Sequence, residues 1–469
     1  MAARTLNRVI AIATVAGLAP AAAFAQTSSS TAGAGTEDLM AGDEWDAFDD
    51  MESDAGATDS GSDDPFGGAF GSETRVDIHG FLEAAAATRV VDDDRSADDF
   101  LLGESRGRLE VGVERPKAKG RLKVDFIGDA LLERVDIDLR EAWADFTLGT
   151  AFSLRAGRQV LTWGTGDFVF LNDLFPKDFQ AFFIGRDDEF LKAPSDSLKL
   201  SFFLEGVGLD VVYNPLFAPD RFITGERLSF FFFPGGDRAG PSSDATPLDA
   251  QTPQADVENG EWHARLYGTV AGWELAAYGY VGFFKQPLAF DPMDGTLLYP
   301  RLSVYGGSVR GLVFGGVFNV EGAFYHSWDD EDGTDPFVPN SQARALVGYE
   351  LEVLPKLTIG TQYYLEAILN HGDQIENSPL PQFEPEELRH VVTLRVTYMA
   401  LSDNLTLSLF GFVSPSEEDA YIRPKVSYKI TEAVQATLGG NILLGQDIFT
   451  FFGQLENNTN VYSRLRFTF

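Results

Sequence analysis

The chain has 469 residues and a mass of 51.3 kDa. Its 36 Lys and Arg residues against 71 Asp and Glu residues give a formal net charge of −35. So negative a charge argues against a nucleic-acid-binding protein. It contains no cysteine, which excludes disulfides, thiolate metal sites, cysteine nucleophiles and a lipid-bearing cysteine. Outside the extreme N-terminus no apolar run reaches about 18 residues, so a helical membrane protein is excluded as well.

Residues 1–25 have the three parts of a secretory signal peptide. Arg4 and Arg8 supply the positive charge, an apolar stretch follows, and Ala23-Phe24-Ala25 forms the small-residue cleavage pattern. The alternative is a buried N-terminal helix. Export together with the absence of cysteine fits a bacterial envelope protein.

Residues 26–74 form an acidic segment rich in Ser, Thr, Ala and Gly, with 13 acidic residues and no Lys or Arg between positions 26 and 73. Such a composition cannot bury enough apolar surface to offset the entropy of ordering, so we predict a disordered periplasmic segment. Within it, Trp45, Phe48 and Met51 share one face of a short helix if a partner orders them. The segment is either a solvated linker or a docking motif for a periplasmic protein.

From Arg75 onward apolar and polar residues alternate, as expected of strands. In residues 461–469, Val461, Leu465, Phe467 and Phe469 alternate with polar residues that include Arg464 and Arg466. Runs of this kind have the length that a tilted strand needs to cross a bilayer. Residues 75–469 therefore form one predicted barrel domain. Eighteen candidate strands are found, although 16 remains possible: 75–90, 104–115, 120–131, 134–148, 152–162, 197–205, 207–214, 261–270, 272–284, 300–313, 316–328, 342–353, 357–368, 389–400, 404–413, 420–430, 433–446 and 459–469.

The connections between these segments alternate in length. Those after even-numbered segments are tight turns, and most of those after odd-numbered segments are long and polar. Short periplasmic turns that alternate with long outer loops are typical of an all-β, antiparallel transmembrane barrel. The long connections are 163–196, 215–260, 285–299, 329–341, 369–388, 414–419 and 447–458.

Two motifs carry a resemblance to known proteins. The ending Leu465-Arg-Phe467-Thr-Phe469 resembles the C-terminal assembly signal of bacterial outer-membrane barrels, which implies recognition by the barrel assembly machinery. The stretch from Gly157 to Gly164, followed by Asn172-Asp173 and Pro176-Lys177-Asp178, is similar to a motif of large, poorly characterised porin-like barrel proteins. This resemblance implies a porin-like barrel and no particular solute.

A barrel of 16 to 18 strands has room for an aqueous channel. Loop 163–196 resembles the third outer loop of general porins. In those proteins this loop folds into the lumen and narrows it. We expect the acids of this loop to face basic residues on inward positions of the strands, which either sets up a transverse field that filters charge or only neutralises the loop. The loop acids are Asp167, Asp173, Asp178, Asp187, Asp188 and Glu189. The expected basic arc is Arg106, Arg108, Arg121, Lys123, Arg155, Arg395, Arg423, Lys425, Lys429, Arg464 and Arg466.

The same loop is rich in aromatic residues, and loop 215–260 contains a run of four Phe from Phe230. So much aromatic surface is not expected to stay freely solvated. It packs as a core, binds an apolar solute or contacts lipid. The aromatic residues of the predicted gate are Trp163, Phe168, Phe170, Phe175, Phe179, Phe182, Phe183 and Phe190.

We therefore predict a channel in the outer membrane of a Gram-negative bacterium that lets small solutes diffuse and is narrowed by loop 163–196. One alternative is a gated conduit for hydrophobic or amphipathic molecules coupled to a periplasmic or inner-membrane exporter, and another is a structural barrel or adhesin. The five histidines lie on separate segments without metal-ligand spacing, so neither an enzyme, a metal site nor a cofactor is expected. Expected contacts are membrane lipid and lipopolysaccharide. The solute, the direction of transport and the oligomeric state stay open.

Overall fold

The computed structural model describes residues 74–232, 236–242 and 250–469. The predicted signal peptide and the acidic segment up to residue 73, including Trp45, Phe48 and Met51, lie outside these residues. The structural statements that follow refer to the described ranges.

Eighteen antiparallel strands form one closed sheet. Strand β18 pairs with β1, where Arg466 lies opposite Glu83, and this pairing closes the barrel. The predicted strand count of 18 is confirmed, including the segments 134–148 and 207–214. The strands are β1 Arg75–Arg89, β2 Phe100–Arg115, β3 Ala118–Asp129, β4 Arg134–Leu148, β5 Phe152–Gln159, β6 Ser195–Leu204, β7 Val207–Asn214, β8 Glu261–Val270, β9 Trp273–Phe283, β10 Arg301–Val313, β11 Gly316–Ser327, β12 Gln342–Leu354, β13 Leu357–Ile368, β14 Leu388–Ala400, β15 Leu405–Ser414, β16 Asp419–Lys429, β17 Val434–Gly445 and β18 Asn460–Thr468.

One end of the barrel carries short turns and the other long loops, as predicted. Three of the turns have two residues with positive φ: Glu205 (41°) and Gly206 (87°), Ala271 (53°) and Gly272 (82°), and Phe314 (50°) and Gly315 (85°). Two successive positive φ values are the signature of the type I′ turn, whose twist matches that of the flanking strands. Glycine at the second position makes each of these tight hairpins accessible at little steric cost.

The faces of the strands follow the sequence alternation. Leu465 and Phe467 are 51% and 45% exposed on the outer surface, whereas Arg464 between them is only 6% exposed and points inward. The same apolar outer side chains recur around the barrel, for example Leu82, Leu200, Leu266, Val347 and Leu394. A closed, 18-stranded barrel with an apolar outer surface and a polar interior is an outer-membrane barrel.

The main apolar cluster joins residues of the long loops to inward-facing side chains of the strands. Leu171, Phe182 and Ile184, which belong to the β5–β6 connection, pack there with Leu302 of β10 and Tyr421 of β16. The core of this protein is therefore built by a loop against the wall. In the described part of the chain, no helix is long and apolar enough to cross a membrane.

Candidate functional site

The connection between β5 and β6, residues 160–194, is the candidate site and is named the β5–β6 loop. It contains helix α1, Phe179–Ile184, and a 3-10 turn, Asp188–Leu191. Asp178 caps α1 by accepting a hydrogen bond from the Ala181 backbone N–H at 2.8 Å. Gly185 ends the helix with a φ of 87°, and a Cβ there would lie 2.4 Å from the Tyr462 ring, so only glycine fits.

The acids at the tip of this loop bind basic side chains of the wall. Asp188 accepts hydrogen bonds from Arg423 at 2.6 Å and Lys425 at 2.8 Å, both on β16. Asp187 pairs with Arg464 of β18. Glu189 accepts from Arg108 of β2 at 2.5 Å and lies 3.4 Å from Arg466. Because β18 pairs with β1, these partners lie on both sides of the barrel seam.

These contacts change the acid chemistry of the loop tip. Burial alone would raise the pKa of Asp187, Asp188 and Glu189, but the facing guanidinium and ammonium groups lower it more. The pKa of each carboxyl therefore lies below its usual value, and that of Asp188 well below. All three carboxylates are held ionised by the basic residues of the wall.

The basic residues of β2 are neutralised as well. Arg106 donates to Glu104 and Asp125 of the wall, each at 2.6 Å, and its guanidinium lies 4.1 Å from the centre of the Phe190 ring. Arg108 shares Asp125 at 2.6 Å. These arginines are part of a buried ion-pair network that packs against the loop.

The start of the loop binds a different part of the wall. Glu321 of β11 accepts hydrogen bonds from the Thr165 backbone N–H at 2.6 Å and from the Asn172 backbone and side chain at 3.0 and 2.9 Å. Asp167 pairs with Arg395 of β14. In a closed ring of 18 strands, β11 lies nine strands from β2 (11 − 2), on the opposite side of the barrel. The sequence analysis missed Glu321, although its inward position in an alternating strand was a signal.

Two acids of the predicted set do not face the basic arc. Asp173 binds Lys177 of the same loop at 2.9 Å, and Asp178 is the helix cap already described. The expectation that they face the arc was wrong, because Asp173 is bound within its own loop and Asp178 caps the helix and lies 3.5 Å from Arg221, in the connection between β7 and β8. The contacts instead bring Asp167, Asp187, Asp188 and Glu189 to the wall.

The aromatic residues of the loop pack among themselves and against the wall. Phe175 stacks on His263 of β8 with ring centres 4.3 Å apart, and Trp163 contacts Phe175 edge-on at 5.0 Å. Phe182 meets Tyr421 edge-on at 5.5 Å. Phe183 and Phe190 are buried too, and Phe168, Phe170 and Phe179 are partly buried against the apolar cluster.

The remaining basic residues of the predicted arc differ in their exposure to solvent. Arg121 pairs with Glu110 at 3.1 Å, Lys123 lies 3.4 Å from the same carboxylate, and Arg155 donates to Asp145 at 3.0 Å. The Arg121 and Arg155 side chains are 34% and 31% exposed, against 6% for Arg423. Lys429 is half-buried. Arg121, Arg155 and Lys429 are therefore partly open to solvent, whereas the Lys123 side chain is buried, with 6% exposed.

The β7–β8 connection, residues 215–260, lies against the β5–β6 loop. Asp220 accepts a hydrogen bond from the Lys177 backbone N–H at 2.8 Å, and the Arg221 N–H donates to the Lys177 carbonyl at 2.8 Å. Burial raises the pKa of Asp220 to about 6, although Lys177 opposes this shift. Phe231 packs on Phe383 at 5.1 Å, which links this connection to that between β13 and β14.

No group of three or more potential metal-ligating side chains occurs within the described ranges.

No family model matches the chain, and no curated protein is significantly similar to it. Among solved structures, the outer membrane channel DcaP of Acinetobacter baumannii aligns at 12% identity over 85% of this chain and 98% of its own, with a TM-score of 0.42. OmpF of Salmonella typhi, in complex with daunomycin, aligns at 9% identity over 85% and 98%, with a TM-score of 0.41. OccD3 of Pseudomonas aeruginosa aligns at 9% identity over 84% and 90%, with a TM-score of 0.48. At this level the alignments carry no conclusion about what this chain transports.

Proposed function

We propose that this protein is an outer-membrane channel for the diffusion of small solutes, narrowed by its β5–β6 loop. An 18-stranded barrel is wide enough to hold an aqueous channel, and side chains of its walls alone do not fill it. The observation that carries the narrowing is that one loop binds Arg108 on β2 and Glu321 on β11, nine strands apart. We infer that a segment attached at both places spans the lumen.

The two attachments differ in chemistry. The tip acids are all held by ion pairs, whereas the start combines the Asp167–Arg395 ion pair with hydrogen bonds to Glu321 from uncharged donors on Thr165 and Asn172. Ion pairs weaken with ionic strength, and hydrogen bonds between uncharged donors and a buried carboxylate respond less. This difference supports gating of the same channel at the loop tip, and it is the reason to keep the gated conduit as the second candidate.

The remaining parts of the proposal concern biogenesis. Residues 1–25 are removed on export, and residues 26–74 stay in the periplasm. If a periplasmic protein binds there, Trp45, Phe48 and Met51 form the face that contacts it. Leu465, Phe467 and Phe469 provide the signal for the barrel assembly machinery. In support, Phe469 exchanges backbone hydrogen bonds with Gly80 at 3.0 and 2.9 Å, so the last residue takes part in closing the barrel.

Reconstitution of the purified protein into planar bilayers tests the channel. We expect discrete conductance steps in potassium chloride. Silent bilayers that become conducting when an apolar ligand is added would favour the gated conduit. Silence under every condition, with heat-modifiable and therefore folded barrel on gels, would favour a structural barrel.

A further inference from the structure

The inner face of β5 and β6 places two cations directly opposite each other. Arg155 of β5 and Lys199 of β6 are partners in the strand register. Like charges at directly opposed positions repel, and their β-carbons are only about 5 Å apart in an antiparallel pair. A pair of this kind costs stability unless an anion lies between the two heads.

The carboxylates nearby do not fully neutralise these cations. Asp145 binds only the Nε of Arg155, at 3.0 Å. Asp210 lies 3.6 Å from Lys199 and also 3.6 Å from Arg265 of β8, so one carboxylate serves two cations. Within the described ranges, Lys199 therefore has no carboxylate to itself.

Arg155 is oriented but not saturated. Its guanidinium stacks on the Trp143 ring at 4.1 Å, which fixes the plane, and Asp145 holds one edge. Among the described residues, none accepts a hydrogen bond from its two terminal nitrogens, and the side chain is 31% exposed. A planar guanidinium with free terminal N–H groups is suited to binding carboxylate or phosphate.

The residues that flank the two cations on the inner face have small side chains. The neighbouring inward positions are Ser153 and Gly157 on β5 and Ser201 and Ser197 on β6, paired in register. The Ser197 hydroxyl is buried and has no hydrogen-bond partner within the described ranges, while Ser201 donates to Asp210 at 2.6 Å. Small side chains and one free hydroxyl surround the cation pair.

The β5–β6 loop leaves this wall open. In the described part of the chain, no residue of the loop forms a hydrogen bond or ion pair with Arg155 or Lys199. Arg423 of the arc, by contrast, donates to the loop acid Asp188 and its side chain is only 6% exposed. A solute that passes the loop would therefore meet Arg155, whose side chain is 31% exposed, with the less exposed Lys199 (15%) opposite it.

We propose that Arg155 and Lys199 form a binding station for the anionic group, carboxylate or phosphate, of small solutes in the lumen. This inference rests on the proposed channel function and adds a preferred solute class to it. Ser197 serves as an additional hydrogen-bond donor to the anion.

The test combines current recordings with direct binding. Potassium benzoate or inorganic phosphate is added to the wild-type channel in potassium chloride, and the reduction of the chloride current is titrated; calorimetry measures the same anions binding to detergent-solubilised protein. We expect R155Q and K199Q each to weaken both effects about tenfold, the usual size for loss of a hydrogen bond to a charged group.

R158Q is the matched control, since Arg158 lies on the opposite face of β5, is 35% exposed and pairs with Asp196. Heat modifiability on gels verifies folding of every variant, and K199Q replaces R155Q if the latter misfolds.

The outcomes separate the two proposals. Conductance in the wild type with equal anion effects in the wild type, R155Q and K199Q overturns the station and leaves the channel standing. Anion binding that is lost in R155Q and K199Q without any conductance supports the station and contradicts the channel. Equal loss in R158Q would assign the effect to general charge and would overturn the station. Benzoate and phosphate titrations show which of the two anionic groups is preferred.

Discussion

Glu321 of β11 and Asn172 of the β5–β6 loop are joined by two hydrogen bonds, of 3.0 Å from the Asn172 backbone and 2.9 Å from its side chain, although 149 residues separate them. The same carboxylate also binds Thr165. No basic side chain pairs with Glu321 in the described ranges. A buried carboxylate therefore serves as an acceptor for the start of the loop.

Replacing Glu321 should release the start of the loop. Glu321→Ala leaves the N–H groups of Thr165 and Asn172 without an acceptor, a loss of about 1–3 kcal/mol for each buried group left unpaired. We expect larger and noisier single-channel conductance in planar bilayers. Glu114→Ala is the control, because Glu114 lies near the β2–β3 turn and pairs with Lys119. Identical conductance in the wild type and Glu321→Ala would contradict the role of this contact.

Replacing Arg423 should release the tip of the loop. Among the described residues, Arg423→Gln leaves Asp188 paired with Lys425 alone, and removing one partner of a buried ion pair typically costs about 3–5 kcal/mol. We expect higher conductance and faster proteolysis between residues 185 and 192 in detergent. Lys429→Gln, on the same strand but without an ion pair in the described structure, should behave like the wild type. Equal proteolysis of both variants would count against the tip contact.

Deleting Asp173 to Phe190 removes the segment that crosses between β11 and β2. We expect single-channel conductance to rise well beyond the scatter between channels, because both the apolar packing of Phe182 and the tip acids are lost. If conductance stays the same while protease cleaves the intact loop in whole cells, the loop does not narrow the channel. The constriction would then have to be sought in residues 215–260, where Phe231 packs on Phe383.

The contact between the two loops at Asp220 should depend on pH. The pKa of this carboxyl is raised to about 6 in the folded protein, chiefly by burial, against an ordinary value near 3.8. A raised pKa means that the contact gains stability as pH falls from 7 through 6 and is fully stabilised below about 4. The lowered pKa values of Asp187, Asp188 and Glu189 act in the opposite sense, and their contacts keep full stability above about pH 4.5.

This difference predicts a pH profile for the channel. Between pH 7 and 5 we expect current fluctuations to decrease, because the Asp220 contact tightens while the tip contacts do not change. Asp220→Asn should make the profile flat over this range, since an amide does not titrate. A wild-type profile that is flat between pH 7 and 5 would contradict the assignment to Asp220.

Much of the fold follows from local sequence. Alternation in residues such as Arg464, Leu465, Arg466 and Phe467 decides which side chains face lipid and which face the lumen, because successive residues of a strand point to opposite faces. Pairs such as Phe314-Gly315 mark the tight turns. These signals involve neighbours in the chain, so the strands, their faces and the alternation of short and long connections could be read without a structure.

The site could be predicted only in outline. Composition indicated that acids of the β5–β6 loop would meet basic residues of the wall, but alternation does not say that Asp188 meets Arg423 whereas Asp173 and Asp178 are used within the loop. It also missed Glu321 and the opposition of Arg155 to Lys199. The sequence determined the barrel because strand alternation and turn chemistry are local. Only the tertiary structure decided which charges are covered and which stay open, because barrel closure and the path of one loop bring together residues that are far apart in the chain.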